Sequence, residues 1–474
     1  MLAARDALRR AILLQNAGDL AGAERICRTV LQSEPRNADA LNLLGVLALQ
    51  RGAPQSAERL IGKAVRLRPG APSYHHNLAQ ALAAQNRLDA AVAAYERAAA
   101  AAPGDPARQE ALAVAYRNNK QIDAAIAAFR RALALDPRRA RTHAALGDAL
   151  QDAGDLAGAI AAYEQAIALD PAQAAAHNNL ASALQKRGEL DRAIAGYERA
   201  IALNAKTPLY WINLGVARFM KGDAKGALRA FERCLALDPF DRRGIAYRAI
   251  ATGELGAAAR AALAAELDAI RPVRLQTPPG WADMAAFNRD LARDLMAHRS
   301  LRWEPAGTAT TGGADILLLL QHPTRTISAF ERILRRALDR HFAGLAPQPG
   351  HPFLDRVPVT YDLDIWGTVL KAQGYQAAHI HPTGWMSGVY YVQLPDSLGS
   401  GGHNRDYSGW IEFGRPSDSF PIRHEPPVRL LQPEEGVAFF FPSYVYHRTV
   451  PFDGARERIS IAFDIRPREV RRAG

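Results

Sequence analysis

Small and apolar residues in the first half of the chain recur three and four positions apart. Polar turns such as "NAGD", "DAGD", "KRGE" and "MKGD" interrupt them. This pattern predicts consecutive amphipathic helices. The helices come in pairs of fixed length. Pro35, Pro69, Pro103, Pro137 and Pro171 are 34 residues apart; the next step falls on Ala205 and the one after on Pro239. Twelve positions before each stands an alanine: Ala23, Ala57, Ala91, Ala125, Ala159, Ala193 and Ala227. Four residues further on come Cys27, Ile61, Tyr95, Phe129, Tyr163, Tyr197 and Phe231, and a third column, Ala11, Gly45, Ala79, Ala113, Gly147, Ala181 and Gly215, is always small. A small residue lets two antiparallel helices approach closely. The large residue is expected to fill the gap between neighbouring repeats, and the proline ends the second helix.

These columns resemble the tetratricopeptide repeat, in seven copies from about Leu2 to Pro239. The resemblance implies an all-α solenoid over residues 1–239. Residues 240–270, including "RRGIAYRAIATGELGAAARAALAAELDAI", continue helically without the columns and are expected to cap it. Such stacks present a concave groove, which implies a protein or peptide partner; a spacer or self-association module is the alternative. His75, His76, His143 and His177 fall near the starts of first helices. They are expected to line the groove or the surface, not to bind metal.

The pattern changes at "RPVRLQTPPGWADM", Arg271–Met284. Helical spacing continues through Ala282–Ser300 and Thr326–Leu345. Beyond Gly350 it gives way to short β-branched and aromatic runs: Val357–Ala372, Gln376–His381, Ser387–Leu394, Ser408–Gly414, Val428–Pro433, Gly436–Ser443, Tyr446–Phe452 and Arg458–Pro467. Short strands separated by turns predict a β-sandwich or barrel over residues 271–474, with the helices on one sheet's outer face.

In that domain "HIHPTGWMSGVYYV" sets His379 and His381 one residue apart, "YHRTVP" supplies His447, and "ERISIAFDI" begins its strand with Arg458. The order of a histidine pair, a distal histidine and an arginine about ten residues later resembles the iron(II)- and 2-oxoglutarate-dependent oxygenases, in particular a bacterial and phage subgroup found alone or fused to tetratricopeptide repeats. The resemblance spans roughly Gly350 to Pro467. It implies a double-stranded β-helix (jelly-roll) with Fe(II) and 2-oxoglutarate as cofactor and cosubstrate. Arg458 would grip the far carboxylate of 2-oxoglutarate, with Ser460 on the same face. Imidazole suits ferrous iron, and a guanidinium fork suits a carboxylate.

The usual acid two residues after the first histidine is missing, because His381 stands there. Three arrangements remain open. His379, His381 and His447 form a three-histidine site; or two of them bind and water or a distant acid such as Glu412 or Asp364 completes the shell; or one of His379 and His381 orients the others from behind. Tyr361, Trp366, Trp385 and Tyr391 are weaker pocket candidates, and alternation sends Tyr390 and Tyr391 to opposite faces. The glycine-rich Asp396–Gly409 is placed to cover a substrate.

Composition narrows the picture. The 474 residues are 48% hydrophobic and 23% charged, as in globular proteins. The net charge of +11 is scattered; its densest cluster, "RPREVRR", reads as a solvated end, so no nucleic-acid partner is expected. No apolar run is long enough for a membrane span. Cys27 and Cys234 lie in distant repeats and should be unpaired, which suits a reducing, cytoplasmic setting. The leading expectation is a dioxygenase, a hydroxylase acting on a protein or peptide that the repeats recruit. The rivals are a scaffold with a degenerate metal domain and a three-histidine, cupin-like enzyme that does not use 2-oxoglutarate.

Overall fold

The computed structural model describes residues 2–305, 307–399, 407–418 and 420–472. The chain divides into two compact units, residues 1–204 and 205–474.

The first unit holds six antiparallel helix pairs, from Leu2–Asn16 with Leu20–Ser33 to Ala174–Lys186 with Leu190–Leu203. The small and large columns meet inside a pair. A Cβ added at Gly147 would lie 2.6 Å from the Tyr163 ring, and one at Gly45 would lie 2.4 Å from Ile61. The large residue therefore fills the space opposite the small residue of its own repeat, rather than the gap between neighbouring repeats. The histidines are structural. His75, His143 and His177 each place Nε2 against the carbonyl of the proline six residues earlier, Pro69, Pro137 and Pro171, at 2.6, 3.0 and 3.1 Å. They tie the start of each pair to the turn before it. His76 packs edge-on against Tyr95.

The turn inside each pair needs one left-handed residue. Gly18, Gly52, Gly154 and Gly188 supply it, with φ from 72° to 85°, whereas Asn86 and Lys120 occupy the same turn position at 57° and 62°. A residue with a Cβ is strained there, and lysine lacks the short polar side chain that eases asparagine. Lys120→Gly should therefore stabilise the repeats by about 1 kcal/mol, read as a higher urea midpoint at unchanged slope.

The second unit begins with the seventh pair, Pro208–Met220 and Ala224–Leu237, followed by helices Arg242–Leu255 and Ala257–Asp268. Trp211 repeats the histidine device, donating Nε1–H to Ala205 O at 2.9 Å. Ten strands follow among the described residues: β1 Pro272–Arg274, β2 Leu301–Trp303, β3 Thr310–Ile316, β4 Arg356–Gln376, β5 Met386–Gln393, β6 Ile411–Phe413, β7 Arg429–Leu431, β8 Val437–Pro442, β9 His447–Thr449 and β10 Arg458–Arg472. They form two antiparallel sheets, ordered β1-β8-β5-β10-β4-β3-β2 and β7-β6-β9, the jelly-roll of the double-stranded β-helix.

Strands β1 to β3 precede the expected ones; β1 and β2 are only three residues long, and β3 carries two glycines. The expected strand Gln376–His381 does not form: β4 ends at Gln376, and the histidine pair follows it, held by one bridge between His379 and His447. Helices Met284–Met296 and Arg325–Ala343 pack on the large sheet. Tyr390 turns outward to them, 5.0 Å from the Phe330 ring and bonded to Asn288 at 2.6 Å.

The seventh repeat and the capping helices are built into this domain. Between β6 and β7, Phe420 enters a nest of Phe219, Tyr247 and Tyr446 at ring distances of 5.7, 4.9 and 6.5 Å. Glu254 accepts the backbone N–H groups of Arg423 and His424, each at 3.1 Å. Buried Arg242 donates to Gly384 O at 2.8 Å. Removing those helices would bare Phe420, Ile422 and Tyr446 to water. A fragment of residues 205–474 should therefore give a cooperative melt and native near-ultraviolet dichroism, whereas residues 271–474 should aggregate or stay loosely packed.

Candidate metal centre

Three backbone segments bring the histidines together. His379 and His447 exchange backbone N–H···O bonds, both 3.1 Å, and His381 N donates to Ser443 O at 3.0 Å. One ring nitrogen from each of the three lies within 4.8 Å of the others, and the Nε2 atoms of His379 and His381 are 3.3 Å apart. Ligands of one ion in a facial arrangement would be about 3 Å apart.

Each ring is oriented from behind. Nδ1 of His379 lies 2.7 Å from Ala377 O, Nδ1 of His447 lies 3.2 Å from Val445 O, and Nδ1 of His381 lies 2.6 Å from Asp464 Oδ1. Carbonyl and carboxylate oxygens only accept, so each Nδ1 carries a hydrogen, and each Nε2 is the atom left to offer a metal a lone pair from the neutral ring. Burial reinforces this. It pushes His379 down to about 4, helped by the neighbouring His381, and holds His447 well below the usual histidine range. Imidazole rings whose Nε2 atoms converge in this way suit a divalent cation.

Arg458 shares the cavity, with Trp366, Gln376 and Phe441 among its walls. Its side chain is 2% exposed. It donates to Thr449 Oγ1 at 2.8 Å, approaches Tyr391 Oη at 3.4 Å and lies over the Tyr391 ring at 5.1 Å. Its Nε has no partner. No carboxylate among the described residues pairs with it, and desolvation weakens its hold on its proton. A buried, unpaired guanidinium is costly in isolation and makes a ready receptor for an anion.

The other expected residues separate. Ser460 is buried between Tyr391 and Thr368 in the strand register. It makes no hydrogen bond to Arg458; the hydroxyl there is that of Thr449, which the sequence reading did not select. Tyr391 reaches the guanidinium. Tyr361 and Trp385 line no part of the cavity: Tyr361 donates to Asp339 at 2.9 Å, and Trp385 stacks on Phe353 at 4.1 Å and donates to its carbonyl. Neither distant acid faces the histidines. Glu412 accepts from Arg415 and Arg448 at 2.6 and 3.0 Å, and Asp364 pairs with Arg466 at 2.9 Å. The carboxylate that does touch the cluster is Asp464. Strand alternation could have found it, because it falls on the face of β10 that carries Arg458 and Ser460. Of the glycine-rich segment, 400–406 lie outside the described residues, and Asp396–Gly399 form a helical turn.

Residues 364–464 match a family model described as "Putative 2OG-Fe(II) oxygenase", and tetratricopeptide models match between residues 8 and 242. The chain thus unites tetratricopeptide repeats with a domain that matches the "Putative 2OG-Fe(II) oxygenase" model. Three solved structures illustrate its likeness to other proteins. One is the APC/C hetero-tetramer Cut9-Hcn1, at 20% identity over 51% of this chain and 48% of that one, TM-score 0.41; this chain thus spans about half of its length. YrrB, "a TPR protein with an unusual peptide-binding site", matches at 19% over 39% and 95%, TM-score 0.34. PilF of Pseudomonas aeruginosa matches at 21% over 45% and 96%, TM-score 0.39. No curated protein matches. No helix among the described residues is long and apolar enough to cross a membrane.

The depressed histidines of this domain set a pH dependence. An unfolded histidine takes a proton near its ordinary 6.5, whereas folded His379 resists until about 4. The unfolded chain thus binds more protons between these values, and stability falls as pH drops through that window. His379 alone accounts for on the order of 3 kcal/mol. Urea unfolding of metal-free protein from pH 7.5 to 4 should show this loss, and His379→Gln should flatten it.

Proposed function

We propose that the chain is an Fe(II)- and 2-oxoglutarate-dependent dioxygenase that hydroxylates a protein or peptide recruited by its repeats. The observation that carries this reading is the meeting, in one buried cavity, of three Nε2 lone pairs and an unpaired arginine. The donor set fits a ferrous ion and the arginine fits a dianion, so both halves of the cofactor requirement have a receptor.

His379, His381 and His447 hold the metal through Nε2. Arg458, with Thr449 beside it, grips the far carboxylate of 2-oxoglutarate, and Tyr391 sets the plane of the guanidinium. Val389, Ile411 and Phe441 keep water from the cavity. The bound metal and cosubstrate supply the oxidising chemistry: 2-oxoglutarate and O2 become succinate and CO2 while a substrate C–H gains oxygen. The repeats supply affinity for a polypeptide, the usual work of such solenoids. A cytoplasmic setting agrees with two buried free thiols.

The test is an anaerobic titration of full-length protein with Fe(II) and then 2-oxoglutarate, followed by the weak visible metal-to-ligand band. The expected outcome is a saturable band in the parent and a loss of 2-oxoglutarate affinity of about 30-fold or more in Arg458→Gln, the cost of removing one partner of a buried charge pair. A parent that binds metal but gives no band would favour the cupin-like alternative. A parent that binds neither would leave a scaffold.

A further inference from the structure

The three imidazoles are not held alike. His379 and His447 lean on backbone carbonyls, whereas His381 leans on a carboxylate at 2.6 Å. Asp464 is the one acid among the described residues that touches the cluster. It is 7% exposed and pairs with no arginine or lysine there; Ser387 Oγ donates to it at 2.6 Å. The backbone is cut to fit it: a Cβ added at Gly384 would lie 3.1 Å from the Asp464 carboxyl carbon and 2.5 Å from Ser443 Oγ.

Charge explains the arrangement. Three neutral imidazoles leave a divalent ion uncompensated in a cavity that already holds buried Arg458. Like charges in a dry interior are costly. A carboxylate one imidazole away lowers that cost. It also draws on Nδ1–H and pushes electron density to Nε2, which strengthens the bond to the metal. With Asp464 ionised and a dianion bound, the charges of metal, arginine, carboxylate and cosubstrate cancel.

We propose that Asp464 supplies, through His381, the negative charge that the metal-ligand set itself lacks, so that the His381–Asp464 pair stands in for a ligand carboxylate. Asp464 is thus a positioning residue that acts on the metal through the ring. The inference rests on the metal-binding part of the proposed function and not on the use of 2-oxoglutarate.

Co(II) titration of the full-length protein, without 2-oxoglutarate or substrate and read by d–d absorption, tests it. Asp464→Asn keeps the size and an oxygen for Nδ1–H but removes the charge. It should weaken Co(II) binding about 10- to 100-fold and raise the Fe(III)/Fe(II) midpoint potential, while metal-free protein melts as the parent does. Ser387→Ala, which keeps the carboxylate, should bind Co(II) as the parent does. The deciding variant is His381→Asp in the Asp464→Asn background. It moves the charge into the ligand set and should restore most of the affinity; a purely structural Asp464 predicts no rescue. Parent-like binding and potential in Asp464→Asn, or a weakened variant without rescue, overturns the proposal. If Asp464→Asn does not fold, Asp464→Ser, alone and with His381→Asp, takes its place, rescue of Co(II) binding in the double variant supporting the proposal and its absence overturning it. A parent that binds no Co(II) defeats the metal centre itself, whereas a missing 2-oxoglutarate band leaves the role of Asp464 standing.

Discussion

Pairing of β10 between β4 and β5 is the constraint on which the site depends. Arg458, Ser460, Ala462 and Asp464 share one face of β10, and the ladder to β4 runs unbroken from Arg458↔Leu370 to Pro467↔Tyr361. That one face carries the buried guanidinium at one end and, six residues later, the carboxylate behind His381. A slip of one residue would send both to the opposite face and exchange them for Ile459 and Ile465. The partner β5 is less regular: the register shifts between Ile459 and Ser460. Bulges re-aim side chains at sites of function, and this one lies beside Arg458.

The histidines are fixed by a second set of backbone bonds that joins the segment after β4 to β9 and its approach. The exchange between His379 and His447 makes the pair rigid without a continuous strand. His379 and His381, two residues apart, both turn inward, His381 against Asp464 of β10 and His379 beside His447 of β9. The histidine cluster therefore lies where the two sheets meet, and its members come from elements far apart in sequence. A metal bound by the three histidines would therefore couple its binding to the folding of this domain.

The repeats were legible because their columns are enforced by contact: Gly147 must be small since the Tyr163 ring lies against it, and the same holds at Gly45 and Gly215. The cluster of His379, His381, His447 and Arg458 was legible because residue type and order both carry chemistry. What the sequence concealed was partnership across long separations. Alternation along β10 places Asp464 on the face of Arg458, but nothing near it in the chain names His381, 83 residues away, as its partner. The hydroxyl beside Arg458 comes from Thr449 on another strand and not from Ser460, two residues along, because pairing with β5 and β4 holds Ser460 between Tyr391 and Thr368. The aromatics Tyr361 and Trp385 read equally well as pocket or core, and packing decided for core.

The repeat pattern also concealed where one compact unit ends. Its columns run unchanged through Phe231, yet the seventh pair lies in the unit that carries the sheets. Periodicity reports what each helix pair needs internally. It is silent about what covers the pair's outer surface. That surface is met by Phe420, which also touches Tyr446, the residue next to His447. Tyr446 is 7% exposed, and burial raises its hydroxyl pKa far above the ordinary value. The last repeat thus bears on the segment that positions His447. Strain in that repeat would reach the approach to β9 through Phe420 and Tyr446, because close-packed interiors have little room to absorb displacement.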